Sequence, residues 1–313
     1  MPVSPQSSRV DAPLTQFALG YRNSGFIADA LSVPVPVPDV AGKYLTRARR
    51  DVSHAVNDMI SPRGGHNEIS WDETWTAFVL IDRGLKCIVS EQHRRAAAAN
   101  ALLSPEQVAV ARTMQQMMLN REIRIGTSLT TSGNFTNTGA AGAVWTNKTT
   151  STPVDDIKTA IAAIPSVGED TKLVGYCALP VFNALSTHPT MLALKGISEG
   201  LVLADEVARY LGLDELHVSR VRKETANLGA TASYGYAFTA TTFGVVAAPR
   251  VAPSGLDVEC FALTLRQDPG VEVRSWDAPE KGKGGSTEHA VELSEVDIIP
   301  QADQGYLITS VAS

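Results

Sequence analysis

Between Ile69 and Asp82 apolar and polar side chains alternate with a period of two. Ile69, Trp71, Trp75, Ala77, Val79 and Ile81 fall on one face, interrupted only by Glu73, and Ser70, Asp72, Thr74, Thr76 and Asp82 fall on the other. That period marks an extended strand, whose successive side chains point to opposite sides. At roughly 3.3 Å per residue the strand extends about 40 Å. The turn-forming run Ser61-Pro62-Arg63-Gly64-Gly65-His66-Asn67 precedes it. It therefore reads as one arm of a projecting hairpin, with Trp71 and Trp75 on a face suited to packing against a neighbour. An ordinary core strand is the alternative. Upstream, Phe26, Ile27, Ala30 and Leu31 form a short apolar helical patch that runs into Val33-Pro34-Val35-Pro36-Val37-Pro38. Alternating proline fixes φ near −65° at every second residue and removes those amide donors. The segment can be neither helix nor central strand. Nothing nearby in the chain supplies a surface for its apolar side, so it is expected to lie as an arm on a further copy. Residues 1–20, polar and with three prolines, read as part of the same arm.

Helical spacing begins after Ser104-Pro105-Glu106-Gln107. Serine is the expected N-cap, Pro105 suits the first helical position, and Gln107 can close a capping box. Val110, Met114, Met117, Met118 and Ile125 follow at helical intervals, giving a helix of about 20 residues. Residues 126–151, rich in Gly, Thr and Asn, read as a long loop or ragged strand pair anchored by Trp145. Thr152-Pro153-Val154-Asp155 opens a second helix, which Pro165 ends. Lys172–Ala178 is a buried-type strand, Pro180 starts a short helix that stops before His188-Pro189, and Leu203–Leu211 is a helix closed by Gly212. Leu216–Val221 is the next strand. This alternation makes residues 152–222 a small α/β layer. Residues 234–275 are mostly strand, Glu280–Gly285 is a turn, and two final strands over 287–299 and 305–312 flank Pro300-Gln301-Ala302-Asp303 as a C-terminal hairpin.

The chain has 313 residues, 44% of them hydrophobic, enough for a sizeable core. Its net charge of −6 argues against a nucleic-acid reader, whose binding surface is usually basic. The local clusters Arg47-Ala48-Arg49-Arg50 and Arg94-Arg95 read as solvated or interface charge. Cys87, Cys177 and Cys260 lie far apart without a CxxC, as expected of reduced, buried thiols in a cytoplasmic protein. There is no run of about 18 apolar residues and no apolar signal core at the N-terminus. No nucleotide-binding glycine loop, GxSxG or HExxH occurs. His54, His66, His93, His188, His217 and His289 show no metal-ligand spacing. The tightest acidic pairs, Asp155-Asp156 and Asp205-Glu206, sit in helix first turns, where carboxylates complement the dipole. No catalytic, cofactor-binding or metal residue is assigned.

The order of these parts resembles that of a tailed-phage major capsid protein with the Hong Kong 97-type fold. YRNSGFIADALSVPVPV resembles the N-terminal arm block. Residues 43–85 stand in the place of the extended loop, and RRAAAANALLSPEQVAVARTMQQMMLNREIRIGTSL resembles the spine helix and its approach. KLVGYCALPVFNALSTHPTMLALKG is similar to the strand, helix and His-Pro turn of the apical domain, and TEHAVELSEVDIIPQADQGYLITSVA to the closing strands. The resemblance implies an α+β fold: N-terminal arm 1–42, extended loop (a long β-hairpin) 43–85, peripheral domain with spine helix 86–152, α/β apical domain 153–255, and return strands 256–313. It implies a non-enzymatic shell protein of the virion, assembled in the host cytoplasm. Its copies would form hexamers and pentamers of an icosahedral shell enclosing double-stranded DNA without reading its sequence. Scaffold, portal and decoration proteins are its expected partners, and no membrane is involved. The expected assembly contacts are Phe26, Ile27, Val33, Val35, Val37, Arg63, Trp71 and Trp75. Some relatives join subunits by Lys–Asn isopeptide bonds. Here residues 44–85 contain no lysine and no asparagine follows Asn227, so no such cross-link is expected. An encapsulin-like compartment is the nearest alternative. An α/β enzyme using residues 152–222 and a tail or fibre component are more distant ones.

Overall fold

The computed structural model describes residues 9–47, 58–59, 73–98, 104–165, 171–197, 200–227, 229–251 and 260–312. In chain order its elements begin with strand β1 (Arg9–Val10), helices α1 (Ala12–Gly20) and α2 (Ala28–Leu31), and strands β2 (Val33–Val37), β3 (Ala41–Arg47), β4 (Glu73–Val79) and β5 (Ile81–Ser90). Helices α3 (Glu91–Ala98) and α4 (Pro105–Thr130), strand β6 (Asn137–Ala140), helix α5 (Pro153–Ala163) and strand β7 (Thr171–Ala178) follow. Then come α6 (Leu179–Ser186), α7 (Pro189–Lys195), α8 (Ala204–Leu211), β8 (Glu215–Ser219), β9 (Arg222–Glu224), β10 (Tyr234–Tyr236) and β11 (Phe243–Pro249). The chain closes with β12 (Leu263–Ala278), β13 (Ser286–Ile298) and β14 (Gly305–Thr309).

Two sheets carry the molecule. The first runs β1-β12-β13-β5, with β2 also on the edge of β12. Strands β12 and β13 pair antiparallel around the expected Glu280–Gly285 turn, where Gly282, Gly284 and Gly285 take positive φ. The register shifts between Arg266 and Val271. Below that bulge β2 pairs parallel with Leu263–Gln267, and above it β1 pairs antiparallel with Arg274 and Ser275. Two N-terminal segments thus cover one edge. Prolines at alternate positions are compatible with an edge strand, because only one side of β2 must donate. Residues 12–20, expected as loose arm, instead form a helix. Asp11 Oδ1 accepts the Leu14 amide at 3.1 Å, and Leu14 and Ala18 are buried against the sheet and α4. The Asp-Ala-Pro start is a helix signal that a polar reading of this stretch overlooked.

The second sheet runs β6-β14-β11-β7-β8. All seven residues of β11 are buried, because helices α5 to α8 cover one face and the C-terminal half of α4 covers the other. Alternate residues of β7 divide between these layers: Cys177 faces Trp145, Ile157 and Leu185, while Val174 and Tyr176 face Ile125, Leu129 and Phe238. Tyr176 donates its hydroxyl to Leu129 O at 2.6 Å and lies across Gly244, where a Cβ would come within 2.1 Å of the ring. Trp145 is the expected anchor, fully buried, with Nε1 donating to Asp156 Oδ2 at 2.9 Å.

Helix α4 joins the sheets. Its 26 residues span about 39 Å at 1.5 Å each, longer than the spacing of apolar positions indicated. Val110, Met114 and Met117 pack on the first sheet, and Ile125 and Leu129 on the second. At Gly126 a Cβ would meet Ala237 O at 2.7 Å, so only glycine admits this approach. Ser104 and Thr152 occupy the N-cap positions, but neither side chain caps its helix; the Ser104 hydroxyl donates to Glu106 Oε2 at 2.6 Å, so the box through Gln107 does not form. The last two strands are not a hairpin either. β13 lies in the first sheet and β14 in the second, with the chain crossing between them at Pro300–Gln304.

Candidate functional site

Strand β4 pairs antiparallel with β3, from Ala41↔Val79 to Arg47↔Glu73, as a two-stranded ribbon. The chain continues extended through Leu80 and changes partner, becoming β5 at the free edge of the first sheet. The period-two pattern therefore belongs to one path serving two sheets. Its faces are inverted relative to a core strand. Phe78 and Leu80 point inward, packing with Tyr44, Leu263, Leu265 and Ile298. The apolar series points out, with Trp75 58%, Val79 62% and Ile81 50% exposed. Along β5, Leu85 lies on the same side as Ile81 and adds to this exposed apolar path, while Ile88 is exposed on the opposite side. Among the described residues nothing covers it. Trp71, Ile69, Arg63 and the turn at 61–67 lie outside the described residues, as do residues 1–8 and 48–50.

The proline-bearing segment behaves in the opposite way. Val35 and Val37 are 2% and 3% exposed, packed with Phe78, Leu80, Cys260 and Leu263, and Ile27 is buried with Ile125 and Phe135. The expectation that this segment finds no surface in its own chain is corrected: the open edge of β12 and the inward face of β4 supply one. Val33 and Phe26 remain partly exposed. Phe26 lines a cavity of about 280 Å³ together with Met114, Met117, Met118 and Arg121.

A buried ionic cluster locks the root of this segment to α4, and no periodicity announced it. The Glu122 carboxylate accepts the Ile27 amide at 3.1 Å and the Ala28 amide at 2.9 Å, serving as the N-terminal cap that α2 lacks in its own sequence. Burial pushes this carboxyl above its ordinary range, against the two amides and Arg121, which favour the charged form. Arg121 pairs with Asp29 and donates to Ser32 O at 3.0 Å and Thr264 Oγ1 at 3.2 Å. Glu295 sits among three guanidiniums: Arg266 at 2.7 Å, Arg124, and Arg121 at 3.9 Å. Burial works to raise the Glu295 carboxyl, but the three arginines outweigh it and hold it below its ordinary value. Buried charges are tolerated only when paired in this way.

The acidic pairs of residues 152–222 are tethers. Asp156 holds Trp145, while Glu206 accepts the Leu203 amide at 3.0 Å and Lys195 Nζ at 2.7 Å. Burial pushes the Cys177 thiol far above its ordinary value and the Cys260 thiol up to about 12, so neither is a ready nucleophile.

No family model matches the sequence, and no curated protein matches it. Solved structures do. A phage-related protein from Bordetella bronchiseptica superposes with a TM-score of 0.75 at 19% identity, over 98% of this chain and 99% of that one. The likeness is one of fold. The holo-SrpI encapsulin complex from Synechococcus elongatus gives a TM-score of 0.58 at 11% identity, over 98% and 97% of the two chains. The capsid of the cyanophage P-SCSP1u gives 0.57 at 10%, over 94% and 90%. The chain thus has the fold of proteins that form phage capsids and encapsulin shells. Its mixed helix-and-sheet architecture agrees with the α+β class read from the sequence.

Proposed function

We propose that the chain is a major capsid protein, whose copies assemble into hexamers and pentamers of an icosahedral shell enclosing double-stranded DNA. The observation that carries this reading is the exposed apolar path Trp75, Val79, Ile81 and Leu85 on a chain with a shell-protein fold. An apolar strip of this kind is costly in water and gains burial when a second copy covers it. On this reading the contact is heterologous, joining different surfaces of neighbouring copies, and closes into rings. On this reading β3, β4 and residues 48–72 serve as the extended loop, α4 as the spine helix, and the β6-β14-β11-β7-β8 sheet with its helices as the apical layer. Trp71 and Arg63 belong to the loop's contact surface.

Negative-stain electron microscopy and mass photometry of the recombinant chain test this reading. Closed shells, or rings of five and six, are expected. An encapsulin-like compartment is the second reading, favoured by the superposition on the Synechococcus encapsulin across nearly the whole chain. Nucleic acid inside purified shells supports the capsid, and a copurifying cargo protein supports the compartment.

A further inference from the structure

Most cations along the first sheet and its helices are neutralised in place. Arg94 pairs with Glu106 and Glu91, Arg95 with Glu91, and Arg121, Arg124 and Arg266 with Glu295. The Arg94-Arg95 cluster is therefore spent on internal contacts. Isolated cations such as Arg9 and Arg112 also form no ion pair among the described residues, but one stretch gathers several. Between Ser219 and Tyr236 the sequence carries Arg220, Arg222 and Lys223 against a single carboxylate, Glu224. Among the described residues none of these three cations forms an ion pair.

Strands β9 and β10 form a two-stranded ribbon outside both main sheets, with Tyr236 opposite Arg222 and Tyr234 opposite Glu224. The Arg222 guanidinium lies 4.9 Å from the Tyr236 ring centre and donates to Tyr236 Oη at 2.9 Å. Stacking fixes the guanidinium plane and leaves further N–H groups free to donate. Arg220, Arg222 and Tyr234 are exposed, Tyr234 at 64%. The ribbon's base is firm: the Ala237 amide donates to Val221 O at 2.9 Å, and Thr239 Oγ1 donates to Thr130 Oγ1 of α4 at 3.0 Å. An oriented guanidinium, two further unpaired cations and an exposed phenol on a fixed ribbon complement a polyanion, on a chain whose net charge is −6.

We propose that the β9–β10 ribbon contacts the phosphate backbone of double-stranded DNA through Arg220, Arg222 and Lys223. The inference rests on the shell reading above and adds the point at which subunit and DNA touch. Contacts confined to phosphate carry no sequence information, so the binding is independent of sequence.

The test uses the full-length chain and a short fluorescent duplex of arbitrary sequence, with affinity followed by anisotropy from about 50 to 200 mM salt. Each phosphate contact contributes about 1 to the slope of log K against log salt. R220Q/R222Q/K223Q should flatten that slope by about 3. R112Q/K158Q/K283Q removes the same charge from other exposed positions and should leave the slope unchanged. R220K/R222K should retain the wild-type slope, because phosphate accepts a point charge. Equal slopes for the two glutamine variants would overturn the inference. Loss of shells in the ribbon variant with an unchanged slope would also overturn it, assigning the ribbon to subunit contact. Electron microscopy of the wild-type sample separates the two levels: no shells or rings would sink the shell reading, whereas shells with an unaltered slope sink only the DNA contact.

Discussion

Two extended apolar segments near the N-terminus meet opposite fates. β2 carries alternating Val and Pro and buries Val35 and Val37 within its own subunit; β4 carries alternating Trp, Ala and Val and turns that series to solvent. In both, alternate side chains share a face, but that period does not say which face is inside. The deciding factor is the available surface. β12 offers β2 an open edge, and Phe78 and Leu80 already fill the core side of the β4 path, so Trp75, Val79 and Ile81 can only be covered from outside. Segments satisfied at home make the subunit, and on the proposed reading segments left uncovered make the assembly.

The largest expected effect falls on the satisfied side. Glu295→Ala leaves three guanidiniums around an empty site and should cost about 3–5 kcal/mol of unfolding free energy, read from urea denaturation. A loss under about 1 kcal/mol would mean that the cluster does not hold the arm root. Val35→Ala removes buried methyl groups and should cost about 2 kcal/mol in the isolated subunit. Trp75→Asp separates the two regions most sharply. It should leave the unfolding free energy of the subunit within about 0.5 kcal/mol of wild type, as for other exposed positions. Assembly should weaken by about 2 kcal/mol per contact, roughly 30-fold in the concentration needed for shells. A subunit destabilised as much by Trp75→Asp as by Val35→Ala would erase the distinction.

The smallest effect is set by pH and lies in neither segment. The His188 ring is buried at the start of α7, with Nδ1 accepting the Thr190 amide at 3.3 Å and Nε2 at 3.0 Å from Ser151 Oγ. Burial, reinforced by Lys148, lowers its proton affinity. A base with a lowered folded pKa contributes stability that is present above its unfolded value near 6.5 and is lost as pH falls through the folded value. Wild type should therefore lose some stability between pH 7 and pH 5, and His188→Asn should flatten this dependence. An unchanged slope in the variant would remove His188 from the account.

Much of the fold was legible because its signals are local. Pro105 opens α4, Gly212 closes α8 with φ 78°, and the glycines of 280–285 turn β12 into β13. Other features were hidden because they depend on what lies across space. Helix α1 was obscured by polar neighbours although Asp11 caps it. The two closing strands belong to different sheets, which a turn signal at Pro300 cannot reveal. Of the residues that bear on the site, exposure was legible only in part. Trp75 was identified from its period and lies exposed as expected, whereas Ile27, Val35 and Val37 proved internal. Glu122, Arg121 and Glu295 come together from sequence separations of up to 174 residues, counted from 121 to 295, and no local pattern encodes such a meeting.

The central claim is that the uncovered β4–β5 path drives self-assembly. Its most direct test is negative-stain electron microscopy with mass photometry on wild type and Trp75→Asp, at matched concentration across a range of salt. The account predicts closed shells, or rings of five and six, for wild type, and folded monomers for the variant. A wild-type chain that stays monomeric or dimeric at every salt concentration, or a variant that assembles as well as wild type, would contradict it.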